Sequence, residues 1–390
     1  MIYLDANATT PVDPAVLEVM LPFLREHFAN PSAGYAGGRV AHRAVEKARS
    51  QVAALLHAEA EEVIFTSGGT ESINAVHASA RALWPQKPEL IITGTEHPAV
   101  LESATRWQAQ GGTVAHAPVH ADGRVDLDAL RRAVRPGSTA LVSIMWANNE
   151  TGVIAPMDEI VEIAHAAGAL AHTDAVQAAG KIPLDVKRTP VDFLSLSGHK
   201  MHAPKGIGAL YASHRVRFAP FLVGGGQEKE RRSGTENVPG IVALGKAAEL
   251  CLEHLADGTT AGRIRQMRDR FEHLLRQGVP EMRVHGSAAH RLHTTSSFCL
   301  PGVDAAGMLI LLDRHGVCVS AGSACHTGAL HPSHVLEAMG ISAHDAACTL
   351  RVSFHRFNTP AEADTAARAV IDSAHKLRAE RGDGSMVAFS

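Results

Sequence analysis

Phe193-Leu194-Ser195-Leu196-Ser197-Gly198-His199-Lys200 reads as a short buried strand that breaks at a glycine and delivers a lysine where the chain changes direction. In open α/β sheets ligands bind beyond the carboxyl ends of the strands, and Lys200 is expected at such an end. Working outward, the same grammar repeats from about residue 39 to 256. Apolar runs occur at Glu62 to Thr66, Leu90 to Thr93, Thr113 to Ala117, Ala140 to Trp146, Ala169 to Thr173, Phe193 to Ser197 and Ile207 to Tyr211. Helical stretches separate them: Val40, Ala44, Ala48, Val52 and Leu55 recur at helical spacing within Gly38 to His57, and Met157 to Ala167 is a second example. The alternation predicts an α/β fold with a mainly parallel seven-stranded sheet covered by helices.

The polar stretch around Ala256 to Gly262 is expected to close this large domain, residues 14 to 257. Beyond it lie a long amphipathic helix, a strand at Thr294 to Cys299, a helix at Asp304 to Arg314, a strand at Leu350 to Phe354 and a last helix from Pro360. These predict a smaller α+β domain, residues 258 to 390, that recruits residues 1 to 13; the tail from Arg381 is expected to fray. With 390 residues, 45% of them hydrophobic, the chain can bury cores of this size.

Charge narrows the function. Thirty-seven basic against 40 acidic residues give a formal net charge of -3, with no long run of either sign, so nucleic acid is not an expected partner. No leader-like segment opens the chain and no apolar run nears the roughly 18 residues that span a bilayer, so no membrane partner is expected. Five cysteines, an odd number without CxxC spacing, argue against a disulfide framework and a metal site. A soluble, cytoplasmic protein with one thiol free to react is the expectation.

Four strand ends and the lysine carry chemistry. Lys200 can form a Schiff base, although SGHK alone also reads as an ordinary solvated lysine. Thr66-Ser67-Gly68-Gly69-Thr70-Glu71-Ser72 passes from strand to helix, where N–H groups and hydroxyls can cradle a phosphate, or simply form a capping box from Ser67, Thr70 and Glu71. His172-Thr173-Asp174-Ala175-Val176-Gln177 ends a strand in a carboxylate that can pair with a protonated pyridine nitrogen, or cap a helix. His97 follows another strand and can stack on a flat ring or move protons. Trp146-Ala147-Asn148-Asn149-Glu150 adds two amides. Finally, Ser320-Ala321-Gly322-Ser323-Ala324-Cys325-His326-Thr327-Gly328 reads as a mobile, exposed loop, suited to a nucleophilic thiol, whereas Cys251, Cys299, Cys318 and Cys348 lie in apolar or helical settings.

Together these segments resemble the cysteine desulfurases and selenocysteine lyases, the class V aminotransferase branch of fold-type I pyridoxal-phosphate enzymes. The resemblance runs from YLDANATTPVDP to the final helix. It implies pyridoxal 5'-phosphate held covalently by Lys200, with Asp174 on the ring nitrogen, Gln177 on the ring oxygen and His97 stacked on the ring as acid/base. It further implies a phosphate cradle from Gly69, Thr70, Ser197 and His199, and Asn149 beside the Schiff base and substrate carboxylate. Arg351 would clamp that carboxylate, and Cys325 would take the substrate's sulfur as a persulfide. Thr235, in Arg232-Ser233-Gly234-Thr235-Glu236-Asn237, matches a threonine that reaches the other subunit's phosphate, which implies a homodimer. The implied reaction turns L-cysteine into L-alanine and passes sulfur to an acceptor or scaffold protein for iron–sulfur clusters or thio-cofactors.

Two departures bear on substrate. His326 follows the cysteine where most desulfurases have serine or threonine, and this Ala-Cys-His run, with GGGQE, is similar to selenocysteine lyases; L-selenocysteine is the alternative substrate. His202-Ala203 stands where a tyrosine-glycine pair is usual.

Overall fold

A computed structural model describes residues 1–321 and 333–382. The chain opens with strand β1 (Ile2–Tyr3) and then builds a seven-stranded sheet from β2 (Val63–Thr66), β3 (Glu89–Thr93), β4 (Thr113–Ala117), β5 (Thr139–Ser143), β6 (Leu170–Asp174), β7 (Phe193–Ser197) and β8 (Gly208–Ala212). Their order across the sheet is β2-β8-β7-β6-β5-β3-β4. Only β8 runs against its neighbours, pairing antiparallel with β2 and β7. The central strands are buried on both faces, and Leu90-Ile91-Ile92 and Ala140-Leu141-Val142 supply the continuous apolar runs that such a position demands. Separate apolar cores occupy the two faces, one around Val52, Leu194 and Leu244, the other around Ile73, Trp107 and Phe193. From β3 the chain first moves outward to β4 and then returns to β5 on the other side. That reversal opens a crevice at the carboxyl ends of the strands.

A second sheet, antiparallel throughout, has the order β12-β13-β10-β9, with β9 Arg283–Val284, β10 Thr295–Cys299, β12 Ser320–Ala321 and β13 Thr349–Ser353. Its core gathers Leu4, Phe271, Phe298 and Phe354 beneath the helices Thr259–Gly278, Ala305–Arg314 and Pro360–Gly382. The N-terminus joins this side, since β1 pairs in parallel with β11 (Val317–Cys318). Residues 6 to 13 then cross to the large sheet, where Thr10 N–H donates to His199 O and Asp13 N–H to His202 O. Among the described residues no helix is long and apolar enough to cross a membrane.

Three expectations change in detail. The stretch 256 to 262 is almost wholly helical: only Gly258, at φ +66°, separates the helices Val238–Asp257 and Thr259–Gly278. One glycine in the left-handed region ends a helix without needing a longer loop. The run 140 to 146 leaves the regular strand after Ser143, although the N–H groups of Ile144 and Trp146 still donate to His172 O and Asp174 O. The last helix carries order two residues into the tail, through Gly382.

Candidate functional site

The crevice is a cavity of about 710 Å³, and ten of the twelve residues singled out in the sequence reach it: Gly69, Thr70, His97, Asn149, Asp174, Gln177, Ser197, His199, Lys200 and Arg351. Thr235 does not line it and is exposed. Cys325 and His326 lie outside the described residues.

At one end stands the N-terminus of the helix Gly69–Leu83. Its cap residue Gly68, at φ +153°, has no side chain to satisfy the first N–H groups, which have no cap partner among the described residues and suit an anion. The capping box is only half formed, with Glu71 accepting from Ser67 N–H at 2.8 Å while paired with Arg232. The turn sits low on the sheet because Gly208 is a glycine: a Cβ there would lie 2.6 Å from Gly68 Cα. The Ser197 hydroxyl borders the same turn, and His199, hydrogen-bonded through Nδ1 to Thr9 Oγ1, stands nearby. Burial, then Lys200 and Lys205, lower His199 to about 4, so it is neutral at pH 7.

Asp174 ends β6 with 6% of its surface exposed. Burial raises its pKa to about 6 even though Val176 N–H donates to it at 2.9 Å. Lys200, on the turn Gly198–Lys200 after β7, donates to the carbonyls of Asn7 and Ala8. Burial, then the positive charge of Arg351, lower it to about 8, so that a fraction is nucleophilic amine near neutrality. His97 caps the helix Pro98–Ala109, its Nδ1 accepting from Ala99 N–H, while part of the ring faces the open cavity. Flanking protein, then Lys200 and His334, hold it near 4 and therefore neutral at pH 7.

Arg351 enters from β13, 8% exposed. Its Nη2 pairs with Asp5 at 2.7 Å and its Nη1 donates to Asn149 O, while Nε has no partner among the described residues. Asn149 Oδ1 and Asn7 Oδ1 are likewise buried without partners there. Orphaned buried polar atoms at a cavity wall fit a polar ligand that supplies the missing bonds. The donor set fits pyridoxal phosphate in particular: a bare helix N-terminus for phosphate, a buried carboxylate for a pyridinium nitrogen and a lysine of lowered pKa for an aldehyde.

Several neighbours of the site carry no local sequence signal. Asn7 and Asp5 reach the site only because the N-terminal segment crosses the sheets, which no local pattern reveals. Glu96 lies fully buried behind Asp174, and burial raises it to about 8 while Thr93 Oγ1 and Met145 N–H donate to it. Lys181 reads as a surface lysine, yet donates to Gln177 Oε1 at 2.6 Å. The unusual His202 takes a left-handed φ of +65°, held by its N–H to Thr10 Oγ1, its Nδ1 against Pro11 O and the ring of Phe357.

Residues 2–365 match the aminotransferase class-V family. A cysteine desulfurase of Trichormus azollae is 46% identical over 379 residues, 97% of this chain and 94% of that protein. Among solved structures, a NifS-like protein superposes with a TM-score of 0.90 at 36% identity, covering 96% of this chain and all of the other. SspA in complex with cysteine gives 0.80 at 32% identity, covering 92% of this chain and all of that one.

Proposed function

From the premise that this chain belongs to the aminotransferase class-V family, we propose that it works as a cysteine desulfurase through the residues gathered at this cavity. It converts L-cysteine to L-alanine and transfers the sulfur. Cysteine is favoured over selenocysteine, since the named relatives are cysteine desulfurases and a solved neighbour is a complex with cysteine. The observation that carries the assignment of roles is the convergence of the bare helix N-terminus, Asp174, Lys200 and Arg351 on one cavity.

Lys200, Asp174, Thr70, Ser197 and His199 would hold pyridoxal phosphate, with Gln177 on its ring oxygen and His97 against its ring. Bound there, the cofactor supplies an electron sink for the pair left at the substrate α-carbon. Arg351 grips the substrate carboxylate with its planar fork, and Asn149 aligns it. Lys200 amine takes the α-proton, and Asp174 keeps a proton on the ring nitrogen. Cys325 thiolate attacks the substrate sulfur; the carbon–sulfur bond breaks with its electron pair staying on carbon, which is protonated to give alanine. A persulfide remains on Cys325, and an acceptor thiol or scaffold protein takes its terminal sulfur.

The proposed assembly is a homodimer in which Thr235 completes the neighbour's phosphate site. Its support is that Thr235 is exposed and absent from its own cavity, while Phe28 (81% exposed) and Val223 (79%) leave large apolar side chains uncovered on the single chain. The test of the reaction is incubation with L-cysteine and excess reductant. Sulfide and alanine are expected in equal amounts; alanine without sulfide, or pyruvate in its place, would contradict the assignment.

A further inference from the structure

Lys181 follows the helical turn after β6, and its ammonium reaches back beneath the site. Among the described residues it forms no salt bridge; its hydrogen-bond partner is Gln177 Oε1 at 2.6 Å. Part of the side chain borders a separate small cavity of about 60 Å³, shared with Cys251 and His293. The ammonium nonetheless lies deep enough that burial, then Lys200 and Arg351, lower its pKa to about 7. At that value about half of it is neutral amine at pH 7; an anionic oxygen held beside Gln177 would favour the ammonium, and a lysine set here without a counter-charge calls for a reason.

Gln177 gives that reason. The residue is 5% exposed and lines the main cavity, its Nε2 donates to Asn7 O at 3.0 Å, and the amide keeps a second N–H. Asn7 O also accepts from Lys200, so the chain Lys181–Gln177–Asn7–Lys200 is continuous. An amide can be turned end for end at little steric cost, and its chemistry toward a ligand reverses when it is. Here the turned form would set NH2 against an ammonium, which has no lone pair, and oxygen against the Asn7 carbonyl. Both contacts would be repulsive.

We propose that Lys181 is a positioning residue that locks the Gln177 amide with its oxygen inward, so that a ligand ring oxygen at Gln177 always meets an N–H and is held as an anion. This deepens the function proposed above and rests on its reading that pyridoxal phosphate fills the cavity with its phenolic oxygen at Gln177. Lys181 touches neither substrate nor cofactor; it acts through the amide and through its charge.

The loaded enzyme reports on this directly, because the visible absorption of the bound cofactor titrates with the proton held between Lys200 nitrogen and the phenolic oxygen. Removing a cation and its locked donor from beside a phenolate makes that proton harder to lose. Lys181→Met is therefore expected to raise the titration midpoint by about one pH unit, a tenfold change in proton affinity. Lys181→Arg keeps charge and donors, and the adjoining 60 Å³ gives the guanidinium room, so it should titrate close to the parent. In a Gln177→Leu background, Lys181→Met should shift the midpoint clearly less, since the amide it acts through is gone. A parent-like midpoint in well-folded Lys181→Met overturns the inference. Should that variant not fold, Lys181→Gln decides, because a neutral amide can face Gln177 with either end; a parent-like midpoint there overturns it equally. A parent protein without any visible band would instead overturn the cofactor reading.

Discussion

The two sheets build the same cavity by different rules. The parallel strands contribute from their carboxyl ends, where the chain leaves the sheet: the Gly68–Thr70 turn after β2, His97 after β3, Asn149 after β5, Asp174 at the end of β6 and Lys200 after β7. The antiparallel sheet contributes from the middle of a strand, with Arg351 on β13 opposite Ser297 and Ser320. His97 and Asp174 in the first group are tied to their own backbone turns, Lys200 also to the crossing segment at Asn7 and Ala8, and the chemistry of all three comes from desolvation. Arg351 is instead tied across the molecule, to Asp5 and the Asn149 carbonyl. Within one chain, cofactor binding should therefore depend mainly on the large sheet, and substrate capture on the junction between the sheets.

The sharpest test of that division is Lys200→Ala. It should lose the covalently held cofactor and reduce turnover by ~10³-fold or more. Borohydride treatment of the parent followed by peptide mapping should label Lys200; label elsewhere breaks the assignment. Arg351→Lys should leave the cofactor spectrum intact while raising KM for L-cysteine by about 10- to 100-fold, since a point charge cannot replace the planar fork. Loss of cofactor in that variant would show that the junction also holds the large-sheet site.

The large-sheet site should also titrate. Asp174 has its pKa raised to about 6, so it is charged above that pH and neutral below. A pyridinium nitrogen needs the charged form. Cofactor affinity should thus be full above pH 6 and fall roughly tenfold per unit below it, and Asp174→Asn should be weak and flat over the same window, as equilibrium dialysis can measure. The smallest effect expected is structural. Gly208→Ala forces a Cβ against Gly68 and should cost about 1–3 kcal/mol of stability while weakening cofactor more than substrate binding. Thermal melts with and without cofactor measure both.

What was legible in the sequence follows the same line between local and distant contacts. The seven strands and their polar ends could be read because apolar runs stop where the chain turns into solvent or ligand, as at Ser197 and Asp174. Strand ends such as Ser143 were missed where the backbone keeps hydrogen bonds beyond the regular ladder. Gly258 shows how one residue can replace an expected linker. Asn7 and Asp5 were not legible as neighbours of the site, because their partners lie 170 and 346 residues away; Lys181 escaped although Gln177 is only four residues from it. A lone lysine has no pattern that distinguishes burial from solvation.

Sulfur is proposed to pass through Cys325, which lies outside the described residues, and a single turnover can catch it there. The loaded protein is given one equivalent of L-cysteine without reductant, digested and examined by mass spectrometry. One added sulfur is expected on the peptide containing Cys325, with Cys251, Cys299, Cys318 and Cys348 unmodified, and none after Cys325→Ser. Added sulfur on another cysteine, or turnover of L-cysteine by Cys325→Ser at the parent rate, would contradict it.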